Sequence, residues 1–135
     1  MANAIYPKYK EALLNGSANT NMSSGTVKVA LVDTGTYTYS ATHEFLSSLT
    51  GRVGTDATLG TKTFTNGTFD AANSTYTSVS GATVEALVVY IDTGVAGTSR
   101  LIAYIDTGVT GLPVTPNGGD INITETTGDL KLIRA

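Results

Sequence analysis

Three Asp-Thr-Gly triplets, at Asp33, Asp92 and Asp106, each close an apolar run, and they are the residues of this chain that most resemble catalytic equipment. In an aspartic protease two such triplets face one another so that their carboxylates share a proton and activate a water for peptide hydrolysis. Three copies in one short chain argue for a plainer role, because Asp and Gly are ordinary residues where a strand passes into a turn. No later apolar-apolar-Gly-Arg segment is present to brace such an active site. The triplets read as turn chemistry, and the chain reads as a non-enzyme with no catalytic residues.

The other chemical patterns are weaker still. Asp92, Asp106 and Asp120 recur at equal spacing, which would gather carboxylates at one end of a sheet, but a calcium site draws several of its six to eight oxygens from one loop and no loop here is that dense. His43, the single histidine, has neither a nucleophile elbow nor an orienting partner in the sequence and reads as a neighbour of a helix cap. Gly118-Gly119 follows Pro116-Asn117 but leads into a strand; a phosphate loop opens a helix and carries a Lys. Asn15, Asn21, Asn66, Asn73 and Asn122 stand in Asn-x-Ser/Thr triplets, the by-product of an Asn- and Thr-rich composition. No metal, cofactor or prosthetic group is expected.

Composition narrows the class. The 135 residues suffice for one domain. Charged residues make up 14%, against ~25% in ordinary soluble domains, which suits a surface that another molecule covers. A net charge of -3 with no Lys/Arg run argues against nucleic acid as a partner. The absence of Cys excludes disulfides and thiolate metal sites, leaving packing or oligomerisation as the source of stability. No apolar run approaches the ~18 residues that span a bilayer, and the start of the chain lacks the pattern of a secretion signal, so no membrane partner is expected.

The elements that would position these residues are mostly strands. Residues 1–16 form a helical arm, with Pro7 in its first turn, Tyr9, Ala12 and Leu13 on one face and Gly16 as its stop. Residues 17–25, rich in Ser, Asn, Gly and Thr, read as an exposed flexible linker. Residues 26–33 are a strong strand, 36–40 an extended aromatic segment, 42–49 a short helix capped by Thr42, and 55–65 a ragged hairpin followed by an Asn66-Gly67 turn. Further strands are expected at 75–79, 83–92, 98–106, 120–126 and 129–134. The runs 83–92 and 98–106 are apolar without helical period, as in strands covered on both faces. Together these predict an all-β domain over 26–135, a sandwich or jelly roll of about eight strands preceded by one short helix.

The order of words along the chain carries a resemblance that composition does not. Ala2-Asn-Ala-Ile-Tyr6, Val27-Lys-Val-Ala-Leu-Val-Asp33, Thr42-His-Glu-Phe-Leu46, Phe69-Asp-Ala-Ala72, Glu85-Ala-Leu-Val-Val-Tyr90, Ser99-Arg-Leu-Ile-Ala-Tyr104 and Gly111-Leu-Pro-Val-Thr-Pro-Asn-Gly-Gly-Asp120 together resemble a small family of tailed-bacteriophage virion proteins. The C-terminus departs from the usual family ending, a Trp or Phe with an Asp-Asn-Gly turn and a final aromatic; Glu125-Thr-Thr-Gly-Asp-Leu-Lys-Leu-Ile133 stands there instead. The resemblance implies a capsid cement (decoration) protein, made in the host cytoplasm and carried on the outer surface of the virion head. Its partners would be the major capsid protein, between whose subunits it binds, and itself, as a homodimer or homotrimer. The alternative is a tail or fibre-attachment subunit that binds the host surface.

For either role the residues expected at the partner interface are Ile5, Tyr6, Tyr9 and Leu13 of the arm, with Tyr37 and Tyr39 in the following loop. Tyrosine brings large contact area with little rotamer entropy to lose. The competing reading has the N-terminal helix simply covering an open end of its own β body.

Overall fold

The structure, a computed structural model, describes residues 4–60, 62–65, 68–70, 74–106 and 112–123. It is mostly β with one short helix, and its sheets are antiparallel. In chain order the elements are β1 (Ala4–Ile5), α1 (Pro7–Leu14), β2 (Thr26–Val32), a single 3₁₀ turn (Leu46–Ser48), β3 (Arg52–Thr58), β4 (Thr63–Thr65), β5 (Thr68–Asp70), β6 (Ser74–Tyr76), β7 (Ala86–Asp92), β8 (Leu101–Ile105) and β9 (Ile121–Ile123).

A five-stranded sheet in the order β1-β8-β7-β2-β3 carries the core, and two-stranded ribbons β4-β5 and β6-β9 accompany it. The middle strands show why. Every residue of β8, and every residue of β7 but the terminal Asp92, is buried, so both faces of this part of the sheet are covered. Cross-strand partners share a face. The pairs Val27–Ile91, Val29–Val89 and Leu31–Leu87 lie on one side of the β2–β7 ladder, while Ala30–Val88 and Val32–Ala86 lie on the other. Tyr104, paired with Val88 and with Ala4, belongs to the second side.

Both sheet edges are blunted. β3 runs Val53 to Ala57 while β2 runs only Leu31 to Val29, so β3 carries a bulge. Gly54 supplies the bulge with a φ of +71, and a Cβ there would stand 3.1 Å from Val79. At the other edge β1 covers only two residues of β8, and the chain at 44–46 covers more: Leu101 N–H donates to Glu44 O and Leu46 N–H to Ser99 O, at 3.0 and 2.8 Å. Such edges do not recruit a further strand.

Three expectations are corrected here. The helix expected over 42–49 is only the 3₁₀ turn, because Glu44 to Leu46 is engaged in the bonds to β8 and Phe45 forms a bridge with Arg100; Thr42 bonds Ser40 Oγ and caps nothing. The hairpin expected over 55–65 does not form, since β3 pairs with β2 and β4 pairs with β5. Residues 17–25 are not a free linker: Arg100 Nε donates to Ala18 O, Tyr9 Oη to Thr20 O, and Lys62 Nζ to both Met22 O and Gly25 O. Met22 is itself in the core. The Asn66-Gly67 turn, the strand expected at 129–134 and the atypical C-terminal segment 125–133 lie outside the described residues.

The helix is part of the body for the same reason. Tyr6 N–H donates to Ile102 O at 2.9 Å, joining α1 to β8, and Tyr9 and Ala12 are its buried face. At its end Gly16, with φ +64, lets Ser17 N–H reach Ala12 O and its own N–H reach Leu13 O, the paired bonds of a Schellman stop.

Candidate functional site

Within one chain the three triplets do not bring two carboxylates together. In the antiparallel β2–β7 pair, Thr26 faces Asp92 and Val32 faces Ala86. Asp33 and Asp92 therefore mark opposite ends of the sheet, seven residue steps or about 23 Å apart. Asp106 follows Ile105, the partner of Leu87, at the same end as Asp33, but β7 lies between their strands, which sets them about 10 Å apart. The same reversal scatters the equally spaced carboxylates: Asp92 and Asp106 fall at opposite ends, and Asp120 accepts Ser78 N–H at 3.0 Å.

Two triplets are seen to serve as turns. Asp33 Oδ1 accepts Gly35 N–H at 2.9 Å and Asp92 Oδ1 accepts Gly94 N–H at 3.0 Å. The Gly94 bond, with Lys28 at 3.1 Å, holds the Asp92 carboxyl below its usual range. Thr107 and Gly108, which complete the third triplet, lie outside the described residues.

The first turn has a structural product. Asp33 O accepts the N–H groups of Thr36 and Tyr37, at 3.1 and 3.0 Å, and so turns the chain back toward the sheet. Tyr37 is thereby buried, with its ring centroid 6.3 Å from that of Tyr104 on β8. Tyr39 packs between Tyr6 and Tyr104, at centroid distances of 5.1 and 5.5 Å. Tyr6 Oη and Tyr37 Oη are 2.7 Å apart, and Tyr37 Oη is 2.7 Å from His43 Nδ1. With Nδ1 accepting, Tyr37 donates to His43 and Tyr6 donates to Tyr37, so the chain of polar groups is satisfied from the core outward.

Beside this cluster lies a hollow of about 320 Å³ lined by Thr34, Tyr37, Thr38, Tyr39, Glu85, Tyr104 and Asp106. Glu85 immediately precedes β7 and its Oε1 accepts Thr34 N–H at 3.1 Å. Its lining holds three tyrosines and two carboxylates, with no cationic side chain among the described residues.

Of the expected interface residues, the structure brings Tyr6, Tyr37 and Tyr39 together. Tyr6, Tyr9 and Tyr37 are all but inaccessible, at 0%, 2% and 2% exposure, so their side chains hold the chain's own core and do not face a partner. Ile5 and Tyr39 are half-buried against that core, and only Leu13, 38% exposed, remains at the surface. The helix thus covers its own β body. Sequence reasoning missed Glu85 and Tyr104 as lining residues. The signal was present in period-2 alternation, which puts Tyr104 and the residue at 106 on one side of β8.

Burial raises the phenol pKa of Tyr6, Tyr37, Tyr39 and Tyr90, and raises Tyr9 and Tyr104 to about 12 from 10.0; at Tyr104 the neighbouring Asp106 carboxylate adds to burial. Neutral phenols are favoured by the fold, so stability is intact below pH 10 and falls as pH rises from 10 toward 12, where the unfolded chain releases protons that the folded chain keeps. In an alkaline titration the tyrosinate absorbance of this set should rise together with loss of the β circular dichroism. A full rise centred at pH 10 with the fold intact would contradict the burial.

No protein-family model matches this chain, and no curated protein matches it.

Proposed function

We propose that the protein is a structural component of a tailed-bacteriophage virion, a capsid cement protein that binds between major capsid protein subunits and stabilises the head. The supporting observation is the coincidence of words and fold: the segments 27–33, 85–90 and 99–104, through which the sequence resembles that virion family, supply β2, β7 and β8, the three middle strands of the core sheet.

A cement protein meets outward pressure from a packed head, and what it needs is a stiff body with broad, weakly polar contacts. The doubly covered sheet supplies stiffness, since close-packed interiors transmit load with little compression. In this reading the five-stranded sheet is one layer of a sandwich, and the β6-β9 ribbon, whose β6 lies against β3, belongs to the other. Contact falls to exposed apolar residues such as Leu13, Leu14 and Val95, within a surface poor in charge. Symmetric repetition turns modest contacts into firm attachment.

Heads assembled without the protein should form normally and burst earlier on heating or osmotic shock, and adding the purified protein back should restore their resistance. Heads of unchanged resistance would refute the cement role.

A further inference from the structure

We propose that His43 is an acid-sensitive latch on the tyrosine cluster, its protonation breaking the hydrogen bonds that tie the start of α1 to the loop after β2. Tyr6 Oη lies 2.7 Å from Tyr37 Oη, which in turn lies 2.7 Å from His43 Nδ1. With the neutral imidazole carrying its proton on Nε2, Tyr37 donates to Nδ1 and Tyr6 donates to Tyr37. Both hydroxyl protons then have acceptors. An imidazolium carries a proton on each ring nitrogen, so Nδ1 becomes a donor, Tyr37 must turn its own proton toward Tyr6, and the Tyr6 proton is left without an acceptor. Tyr6 is 0% and Tyr37 2% exposed, and Tyr6 Oη has no polar partner besides Tyr37 among the described residues. Water does not reach the stranded donor, and a buried donor without a partner is destabilising.

The surroundings do not offset that loss. The phenols of Tyr6 at the start of α1, of Tyr37 and Tyr39 in the loop and of Tyr104 on β8 make up the cluster against which the imidazole packs. Of the charged groups, Glu44 beside His43 is held by Arg100 of the chain entering β8, at 3.1 Å, while Glu85 and Asp106 line the hollow that Tyr37 borders. Among the described residues no carboxylate stands within ion-pair distance of the imidazole. The backbone is fixed on both sides, since His43 N–H donates to Ser40 O at 3.1 Å and Glu44 O accepts Leu101 N–H at 3.0 Å. Turning the half-buried ring out to solvent would strand the Tyr37 proton instead of the Tyr6 one. His43 is the single histidine and the chain has no Cys, so no other side chain ordinarily changes charge between pH 5 and 8.

The latch belongs to the chain itself and does not rest on any place on a virion. An imidazole in the unfolded chain takes up its proton as pH falls through about 6.5, whereas the folded chain keeps both hydroxyl bonds only while the ring is neutral. Stability is therefore intact above that pH and is lost as pH falls below it. Urea unfolding of the full chain at pH 7.5 and at pH 5.5 reads the effect. The unfolding equilibrium constant should rise about tenfold at the lower pH, the ratio set by proton uptake in the unfolded state. His43→Asn, whose amide oxygen replaces Nδ1 as the acceptor and takes no proton, should unfold alike at the two pH values. Tyr37→Phe, less stable at both, should also lose the dependence, because Nδ1 then meets no hydroxyl. An equilibrium constant that is unchanged between the two pH values, or a rise that persists in His43→Asn or in Tyr37→Phe, would overturn the proposal.

Discussion

A chain lacking residues 1–16 is expected not to fold, and Tyr6→Ala alone to lose a large part of the stability. Tyr6 is wholly buried, its amide is bonded to β8 and its hydroxyl meets Tyr37. Truncating a buried aromatic costs about 3–5 kcal/mol, and the Tyr37 hydroxyl would lose a partner besides. Against a total stability of about 5–15 kcal/mol, the further loss of Tyr9, Ala12 and β1 leaves little. Urea unfolding of Tyr6→Ala should show a sharply lowered midpoint, and the truncated chain should lack the β spectrum. A truncated chain that unfolds at the midpoint of the full one would restore the detachable arm that the sequence suggests.

The second large effect belongs to β7. Leu87 is fully buried in the middle strand, opposite Leu31 on one side and Ile105 on the other. Leu87→Ala should cost about 2–5 kcal/mol through lost transfer energy and the cavity left behind. Leu14, 88% exposed at the end of α1, is the same residue type without the burial, and Leu14→Ala should stay within about 0.5 kcal/mol. Denaturant midpoints of the two variants measure the difference. Equal losses would mean that the two-sided burial of this sheet is misplaced.

The contrast between those two leucines shows what the sequence made legible. Apolar runs over 83–92 and 98–106, broken by neither polar alternation nor helical period, announced strands covered on both faces, and β7 and β8 are that. The run 26–33 announced β2 equally well. Local signals misled where a distant strand competed for the same backbone: Thr42 looks like a helix cap, but the amides and carbonyls at 44–46 are taken by β8. Polar composition over 17–25 suggested solvent, yet its carbonyls are claimed by Tyr9, Lys62 and Arg100, residues 11 to 82 positions away. The tyrosines were singled out correctly as a group, but composition cannot tell whether a tyrosine faces a partner or its own core; that depended on the turn at Asp33 and on β1 pairing with Tyr104. The hollow depended on the pairing of β7 with β8, because Glu85 and Asp106 become neighbours only once those two strands are in register.

The proposed role is tested most directly by a density map of the intact virion into which this fold is placed. The account predicts symmetric copies, on the order of hundreds, on the outer surface of the head, each contacting neighbouring major capsid protein subunits. A handful of copies confined to the tail or the fibre attachment, with none on the head, would contradict it.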